Sequence, residues 1–326
     1  MANRYYQGPI SDHFDGLRFC NPGQMSTDRS LAELLRWQRS GERIAWPEIA
    51  STVVPAVPPK RSAALRVTMV GHACVLIQLG GVNLLVDPLW CDRAGPAGLL
   101  GPRRADAVGI RFDQLPPVDV VLLTHNHYDH LDAATVRRLQ ARHAPRFITP
   151  LGNDVLVRRI ARGIDVVAGD WHDVISFNSV EIVIWPAHHW SARSGLDRRM
   201  ALWGGFVVKT ATATVYIAGD TGYGDGAIFR ALAAAHGAPD LAVLPIGAYE
   251  PRWFMKPQHV NPAEAVRIMQ DCGAAAAIGV HWGSFQLTDE PRDAPVHALG
   301  VALAAAGIEP RRFRAFRPGD VWTSAA

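Results

Sequence analysis

Charge and cysteine are scarce in this sequence of 326 residues, and their scarcity excludes several classes of protein. Charged residues make up 19% of the chain and the formal net charge is +3, without a concentrated basic run, so we expect no nucleic-acid partner. The four cysteines are scattered and form no Cys-x-x-Cys pair. A zinc knuckle and a disulfide scaffold are therefore excluded, and free thiols in a reducing compartment are expected.

Long apolar runs are also missing. No uninterrupted apolar stretch reaches the roughly 18 residues of a membrane-spanning helix, and residues 1–9 lack the apolar core of a signal peptide. We expect a soluble, cytoplasmic protein, with peripheral contact at the inner membrane face left open. Hydrophobic residues still make up 48% of the chain, which is ample for a substantial core in one large or two ordinary domains.

Residues 1–63 read as an N-terminal extension. They are rich in proline, glycine and polar turns, and the proline-rich end of this stretch, residues 54–60, is incompatible with helix. One short helix is predicted within it, because Leu31, Leu34 and Leu35 have the i, i+3, i+4 spacing of one helical face. Two interpretations of that face stay open: it packs on the main domain, or it meets lipid or an apolar substrate.

Residues 64–326 have the pattern of a mixed α/β domain. Short β-branched runs are broken by glycines, and the Gly80-Gly81 pair predicts a tight hairpin turn. The predicted strands are 65–70, 74–79, 82–87, 146–149, 164–167, 180–185, 202–209, 214–218, 241–245 and 276–280. The predicted helices are 132–139, 153–161, 224–235, 262–271 and 295–306. Two runs of strands with interspersed helices indicate a four-layer αββα sandwich of two mixed sheets covered by helices on both outer faces.

The densest group of polar donors is the stretch Thr124-His125-Asn126-His127-Tyr128-Asp129-His130. It follows the largely apolar run 118–123, so it is predicted to be a loop at the end of a strand. Side chains two residues apart in such a loop can converge on one ion and the next pair on another. The stretch therefore predicts half of a two-metal site; the alternatives are chance clustering or capping of the next helix.

Three further strands end in metal-binding residues. The run 182–187 leads into His188-His189, the run 215–219 into Asp220, and the run 277–280 into His281. Because the ends of neighbouring strands converge on one rim of a sandwich, these donors are expected to lie beside the histidine-rich loop.

These motifs together resemble the metallo-β-lactamase superfamily. Within it, Gly71-His72-Ala73, Asp87-Pro88 and especially residues 245–260 are similar to the branch of N-acyl-phosphatidylethanolamine-hydrolysing phospholipase D. The similarity covers roughly residues 65 to 320. It implies an αββα sandwich with a two-metal hydrolytic site.

The resemblance also implies roles for individual residues. Those that would bind a first metal are His125, His127 and His189, those that would bind a second are Asp129, His130 and His281, and Asp220 would bridge both. His189 is preferred to its neighbour His188, and His72 and Asp87 would orient the ligands. The donors suit zinc, while iron and manganese are compatible.

The remaining implied roles concern catalysis and substrate. Asp129 would accept the proton of the attacking water, and His259 would contact the phosphate or the leaving group. The residues expected to line the site entrance are Tyr249, Arg252, Lys256 and Gln258.

The activity expected from this resemblance is that of a phosphodiesterase of the phospholipase D type, acting on N-acyl-phosphatidylethanolamine or a related phospholipid. The alternative is a metal-dependent hydrolase of a soluble ester, lactone or cyclic phosphodiester, because one site of this kind serves many electrophiles. A nuclease and a non-enzymatic metal-binding protein are the less favoured readings. The sequence leaves the oligomeric state open, a homodimer included.

Overall fold

A computed structural model describes residues 2–48 and 51–324, which form fourteen strands and seven α-helices. The strands are β1 (Arg66–Gly71), β2 (Cys74–Leu79), β3 (Val82–Val86), β4 (Val120–Leu122), β5 (Arg146–Pro150), β6 (Val166–Gly169), β7 (Val174–Phe177), β8 (Val180–Trp185), β9 (Gly205–Lys209), β10 (Thr214–Ile217), β11 (Leu241–Pro245), β12 (Ala276–Val280), β13 (Phe313–Ala315) and β14 (Val321–Thr323). The helices are α1 (Leu31–Arg39), α2 (Ala133–His143), α3 (Asn153–Ile160), α4 (Ala227–His236), α5 (Arg252–Met255), α6 (Pro262–Asp271) and α7 (Ala294–Ala306).

The strands form two mixed sheets of seven. The first has the order β14-β1-β2-β3-β4-β5-β6, antiparallel from β14 to β3 and parallel from β3 to β6. The second has the order β13-β12-β11-β10-β9-β8-β7, parallel from β13 to β10 and antiparallel from β10 to β7. The prediction of two mixed sheets is confirmed.

Three apolar layers hold the sandwich together. The inner faces of both sheets pack against each other through residues such as Ile77 and Phe206. Helices α2 and α3 cover the outer face of the first sheet, and α4, α6 and α7 cover that of the second. Strands buried on both faces have nearly continuous apolar sequences, which is why β2, β3 and β11 were visible in the sequence. The αββα architecture is confirmed.

Several predicted boundaries shift for local reasons. Helix α4 begins at Ala227 rather than at 224, because Gly226 has a left-handed backbone and the Asp225 carboxylate accepts the Ala227 N–H. Strand β9 begins at Gly205 rather than at 202. Strands β7, β13 and β14 and helix α5 were missed, since each has four residues or fewer and shows little periodicity.

The N-terminal extension packs on the sandwich. Phe14 and Phe19 are buried in a cluster with Leu202 and Trp203, and the Asn3 side chain donates to the Met200 carbonyl at 2.9 Å. The extension thus contributes to a small core of its own, which its proline-rich sequence did not suggest. The domain boundary after residue 63 stays a prediction.

Helix α1 was correctly predicted within this extension. Its N-terminus is fixed by a capping box, in which the Ser30 side chain accepts from the Glu33 N–H and the Glu33 carboxylate accepts from the Ser30 N–H. None of its residues is fully buried. Within the described residues, no helix combines the length and the apolar character needed to cross a membrane.

Candidate metal centre

The predicted donors meet on one rim of the sandwich. His72 follows β1, Asp87 follows β3, and the stretch 124–130, which we call the histidine loop, follows β4. The second sheet contributes residues at the ends of three more strands: His188 and His189 after β8, Asp220 after β10, and His281 after β12. The convergence expected from the strand ends is what the structure shows.

The backbone around this rim is strained. His72, Asp87 and His281 all have positive φ angles, between 39° and 62°. Such conformations cost on the order of 1–3 kcal/mol each for non-glycine residues, and they persist where the surrounding structure enforces them. The His281 N–H donates to the His72 carbonyl at 2.8 Å, which ties the two sheets together at the site.

A first group of donors contains three imidazoles. The Nδ1 atom of His127 lies 2.9 Å from Nε2 of His125 and 3.2 Å from Nε2 of His189. Three ring nitrogens therefore face one point, as the ligands of a single ion would.

A second group surrounds the carboxylate of Asp129. Its Oδ2 atom lies 3.3 Å from Nε2 of His281, 3.6 Å from Nε2 of His130 and 3.0 Å from Nε2 of His72. His72, which was expected to orient ligands, thus contacts a predicted ligand directly.

Asp220 lies between the two groups. Its Oδ2 atom is 3.2 Å from Nε2 of His281 and 3.3 Å from Nε2 of His130 on one side. On the other side it is 3.7 Å from Nε2 of His189 and 3.9 Å from Nε2 of His125. One carboxylate therefore reaches both groups, which is the position that a bridging ligand requires.

The bonding of these side chains fits divalent metal ions. Several buried polar atoms in the cluster have no hydrogen-bond partner, among them Nε2 of His130, Nε2 of His281 and Oδ1 of Asp220. Leaving such groups unsatisfied costs about 1–3 kcal/mol each. Nitrogen and carboxylate ligands facing one another without protein partners are the donor set of a metal centre.

Nearby carboxylates raise the pKa values of some histidines in the cluster, and burial lowers those of others. Burial would lower the pKa of His281, but the Asp220 and Asp129 carboxylates outweigh it and raise that pKa to about 9. The pKa of His130 is also raised, because Asp220, Asp129 and Asp87 together outweigh burial. Burial lowers the pKa values of His127 and His189 to about 3. Without metal, His281 is thus charged at neutral pH, whereas His127 and His189 are neutral.

Hydrogen bonds fix which ring nitrogens face the centre. Asp87 accepts from Nδ1–H of His130 at 2.7 Å and from the hydroxyl and N–H of Thr124 at 2.7 and 2.8 Å. Thr124 in turn accepts from Nδ1–H of His125 at 3.0 Å. Nε2 of both histidines is thereby left free to face the centre.

The choice between His188 and His189 has a structural basis. Nδ1–H of His189 donates to the Gln258 carbonyl at 3.1 Å, so Nε2 points into the cluster. The His188 ring lies against Gly224, where a Cβ atom would come within 2.5 Å of its Cε1 atom. The structure therefore places His189 in the cluster and His188 outside it.

Replacing Asp87 with alanine is expected to weaken metal binding by about 10- to 100-fold, because Thr124 and His130 lose the acceptor that orients them. Competition with a chromogenic chelator measures the affinity. The control is Asp113→Ala, an exposed carboxylate of the same charge. Equal affinity in the Asp87 and Asp113 variants would contradict the orienting role.

A cavity of about 500 Å³ adjoins the cluster. His127, Asp129 and Asp220 open onto it, together with the predicted residues Gln258 and His259. Nδ1 of His259 lies 4.0 Å from Asp220 Oδ2, and burial lowers the pKa of His259 to about 3. The cavity therefore joins the metal-binding side chains to a space that can hold a ligand.

The other three predicted entrance residues do not line this cavity. The Arg252 guanidinium binds Glu264 at 2.7 Å and the His259 carbonyl at 2.8 Å, so it holds the chain beside His259. Tyr249 is buried and Lys256 is exposed, and both stay outside the cavity wall. A carboxylate partner twelve residues away, which occupies Arg252, was not evident from the sequence.

Sequence reasoning missed part of the cavity wall. Thr27, Arg29, Leu34 and Trp37 of the N-terminal extension line it, as does Arg198. The leucine spacing of α1 was the one signal that pointed to an apolar contact, and the partner of that face was left open. Arg193 was missed too, although it fixes the histidine loop by donating to the Asn126 carbonyl at 3.2 Å and to the Leu131 carbonyl, just after the loop, at 2.8 Å.

Family comparison agrees with this geometry. A sequence profile described as the Beta-lactamase superfamily domain matches residues 82–282, which include all the predicted metal ligands. The chain belongs to the metallo-β-lactamase superfamily. The protein is thus a member of a family of metal-dependent hydrolases, and the His and Asp cluster indicates divalent metal binding.

The chain is similar in sequence to known relatives and in fold to solved structures. N-acyl-phosphatidylethanolamine-hydrolyzing phospholipase D 1 of Caenorhabditis elegans is 38% identical over 245 residues, covering 71% of this chain and 68% of that protein. An uncharacterised protein of Mycobacterium tuberculosis is 36% identical over 299 residues, covering 89% and 77%. The structure of a possible metal-dependent hydrolase from Veillonella parvula matches 80% of this chain and 100% of its own, with a TM-score of 0.65 and 18% identity. The similarity to this solved structure supports the fold alone.

Proposed function

We propose that the protein is a phosphodiesterase of the phospholipase D type that hydrolyses N-acyl-phosphatidylethanolamine or a closely related phospholipid. The observation that carries the proposal is the continuity of the metal-binding cluster with the cavity, whose wall includes Leu34, Trp37, Phe254 and Met255. A site that joins metal ligands to apolar side chains suits a substrate with a charged phosphate and a long alkyl group. The similarity to an enzyme named for this substrate supports the choice.

The residues that would hold two divalent ions are those of the two groups. His125, His127 and His189 would hold one ion, Asp129, His130 and His281 the other, and Asp220 both. Five imidazoles and two carboxylates suit zinc best, with iron and manganese compatible. When bound, such ions activate water and stabilise the charge that develops on a phosphate.

The chain's own residues would move the protons and hold the substrate. The neighbouring histidines outweigh burial and hold the pKa of the Asp129 carboxyl well below its usual range, so it is ionised. In this proposal the Asp129 carboxylate accepts the proton of the attacking water. The water oxygen forms a bond to phosphorus while the bond from phosphorus to the ethanolamine oxygen breaks. The proton held by Asp129 then returns to the departing alkoxide. The products are an N-acylethanolamine and phosphatidic acid.

His259 and Gln258 would position the phosphate. The low pKa of His259 keeps its ring neutral at neutral pH, so it would act through a hydrogen bond rather than through charge. Its Nδ1 atom is buried and has no partner, which leaves it available to the substrate. The carbonyl of Gln258 orients His189, so this dipeptide links the ligand set to the cavity.

Incubation of the metal-loaded protein with N-acyl-phosphatidylethanolamine in detergent micelles is expected to release N-acylethanolamine and phosphatidic acid in equal amounts. Mass spectrometry measures both products. His189→Ala is expected to lose this activity by more than about 100-fold, because a metal ligand is removed, whereas His188→Ala retains it. The two variants change the same residue type at adjacent positions.

Two outcomes would overturn the proposal. A strong preference for soluble bis(4-nitrophenyl) phosphate over the micellar lipid would favour a hydrolase of soluble diesters. Release of free fatty acid without phosphatidic acid would show cleavage of a carboxylic ester or amide instead.

A further inference from the structure

The segment from Thr27 to Trp37 of the N-terminal extension, which we call the cross-strap, spans the cavity mouth between loops that are distant in sequence. At its start, the Asp28 carboxylate accepts from Arg198 Nε at 2.9 Å and from Arg199 Nη2 at 2.7 Å. The Arg198 guanidinium also lies 3.5 Å from the centre of the Trp190 ring, beside the cluster. One end of the cross-strap is thus attached to the loop that follows His189.

The other attachments are on the opposite side of the cavity. Arg29 donates to the Phe254 carbonyl at 3.0 Å, and the Trp37 ring centre lies 4.8 Å from that of Phe254. The Trp37 indole N–H donates to the Asp289 carboxylate at 2.6 Å. Contacts at both ends and in the middle hold the cross-strap as a fixed wall.

The apolar side chains of the cross-strap face the cavity rather than a packed core. Leu34 and Trp37 line the space together with Phe254, Met255 and Leu287, and the same space reaches His127 and Asp129. Neither side chain is fully buried, and Leu31 on the same helix is 71% exposed. A helix that gains so little core contact and yet is fixed by charged and aromatic contacts contributes more to the site than to the fold.

We propose that helix α1 determines substrate specificity, with Leu34 and Trp37 forming the wall of a subsite for one alkyl chain of the substrate. This inference rests on the proposed phosphodiesterase function, because it assigns the phosphate to the metal cluster and the chain to the groove between α1 and α5. The cavity volume of about 500 Å³ is ample for an alkyl chain of moderate length. Leu34 sets the width of the groove, and Trp37 holds its floor against Phe254.

An alkyl subsite of this kind makes kcat/KM depend on the length of the substrate's alkyl chain. Each methylene group transferred from water to an apolar wall contributes about a fourfold gain in binding. A side chain that fills the groove removes that gain for long alkyl chains and has less effect on short ones. A smaller side chain in the wall reduces the gain in binding from each added methylene group.

The test uses alkyl 4-nitrophenyl phosphate diesters with ethyl, hexyl and decyl groups, each below its micelle concentration. Leu34→Trp is expected to lower the ratio of kcat/KM for the decyl diester to kcat/KM for the ethyl diester by about tenfold, equivalent to excluding about two methylene groups. Leu34→Ala is expected to flatten the rise from ethyl to decyl. Leu31→Trp, on the exposed side of the same helix, is the matched control and should keep the wild-type profile.

A second measurement separates this inference from the proposed function. Dansyl-undecanoic acid is titrated into the wild-type protein and into the Leu34→Trp and Leu31→Trp variants, and its fluorescence reports binding without turnover. We expect binding to the wild type and to Leu31→Trp, and affinity at least about tenfold weaker in Leu34→Trp. If the wild type releases no phosphatidic acid from N-acyl-phosphatidylethanolamine micelles, the proposed function fails while the probe still tests the subsite. Equal probe affinity in the two tryptophan variants, or identical chain-length profiles, would overturn the subsite.

Discussion

Replacing Asp220 with alanine is expected to lower hydrolytic activity by more than about 100-fold and to reduce the bound metal to less than one ion per chain. The reason is its position, because its Oδ2 atom lies within 3.9 Å of histidines from both groups. Losing a group that merely orients a ligand costs about 10- to 100-fold, and this carboxylate faces both predicted ions directly. Elemental analysis and a phosphodiester assay measure the two effects.

The control for this variant is Asp225→Ala, which removes an exposed carboxylate five residues further along the chain. It should keep both metals and full activity. Circular dichroism should show native secondary structure in both variants, since the strands around Asp220 are held by apolar contacts on both faces. Two tightly bound ions in the Asp220 variant would rule out its bridging role.

Removing the metal is expected to destabilise the protein more at alkaline than at mildly acidic pH. The pKa of His281 in the metal-free fold, about 9, lies above the ordinary histidine value of about 6.5. Its charged form therefore stabilises the metal-free fold below about pH 6.5, and that stabilisation is lost as the pH rises through about 9. Buried His127 and His189, with pKa values of about 3, have the opposite effect. As the pH falls below about 6.5, these two histidines bind protons in the unfolded state and not in the fold, so the metal-free fold becomes less stable.

Metal ions bind the deprotonated imidazole ring, so metal affinity depends on pH through the same histidine protons. Apparent affinity should rise by about tenfold per pH unit for each proton displaced, up to about pH 9. Thermal unfolding with and without zinc at about pH 6.5 and about pH 8.5 measures the effect, and the difference in Tm should be larger at the higher pH. Asp220→Ala lacks the carboxylate that raises the pKa of His281, so its dependence on pH should be shallower. An equal zinc-induced Tm shift at both pH values would contradict this proton linkage.

Much of the fold and of the predicted ligand set could be read from the sequence because both depend on local patterns. Buried strands such as β3 have short, nearly continuous apolar runs, and the polar residue that ends each run marks the rim of the sheet. Asp220 and His281 could thus be placed near the histidine loop without any knowledge of their distances. The similarity of residues 245–260 to one branch of the superfamily then suggested a substrate.

Other features depend on contacts between residues far apart in the chain. Arg252 was expected to line the site entrance, but its guanidinium binds Glu264 and the His259 carbonyl instead. The dual contact of Asp87 with Thr124 and His130 needs two loops to meet. The wall formed by Leu34 and Trp37 required knowing where α1 docks, and its leucine spacing alone gave no partner.

The placement of the cross-strap also bears on the order in which the protein is assembled during synthesis. Residues on both sides of it in the chain contact residues made much later: the Asn3 side chain donates to the Met200 carbonyl, and the Trp46 indole N–H donates to the Glu290 carbonyl. Because translation proceeds from the N-terminus, Phe14, Phe19 and Trp37 are made well before the residues that cover them. Contacts of such high sequence separation form slowly. The N-terminal extension is thus synthesised before its partners, and Phe14, Phe19 and Trp37 stay without these contacts until Leu202, Trp203 and Phe254 have been made.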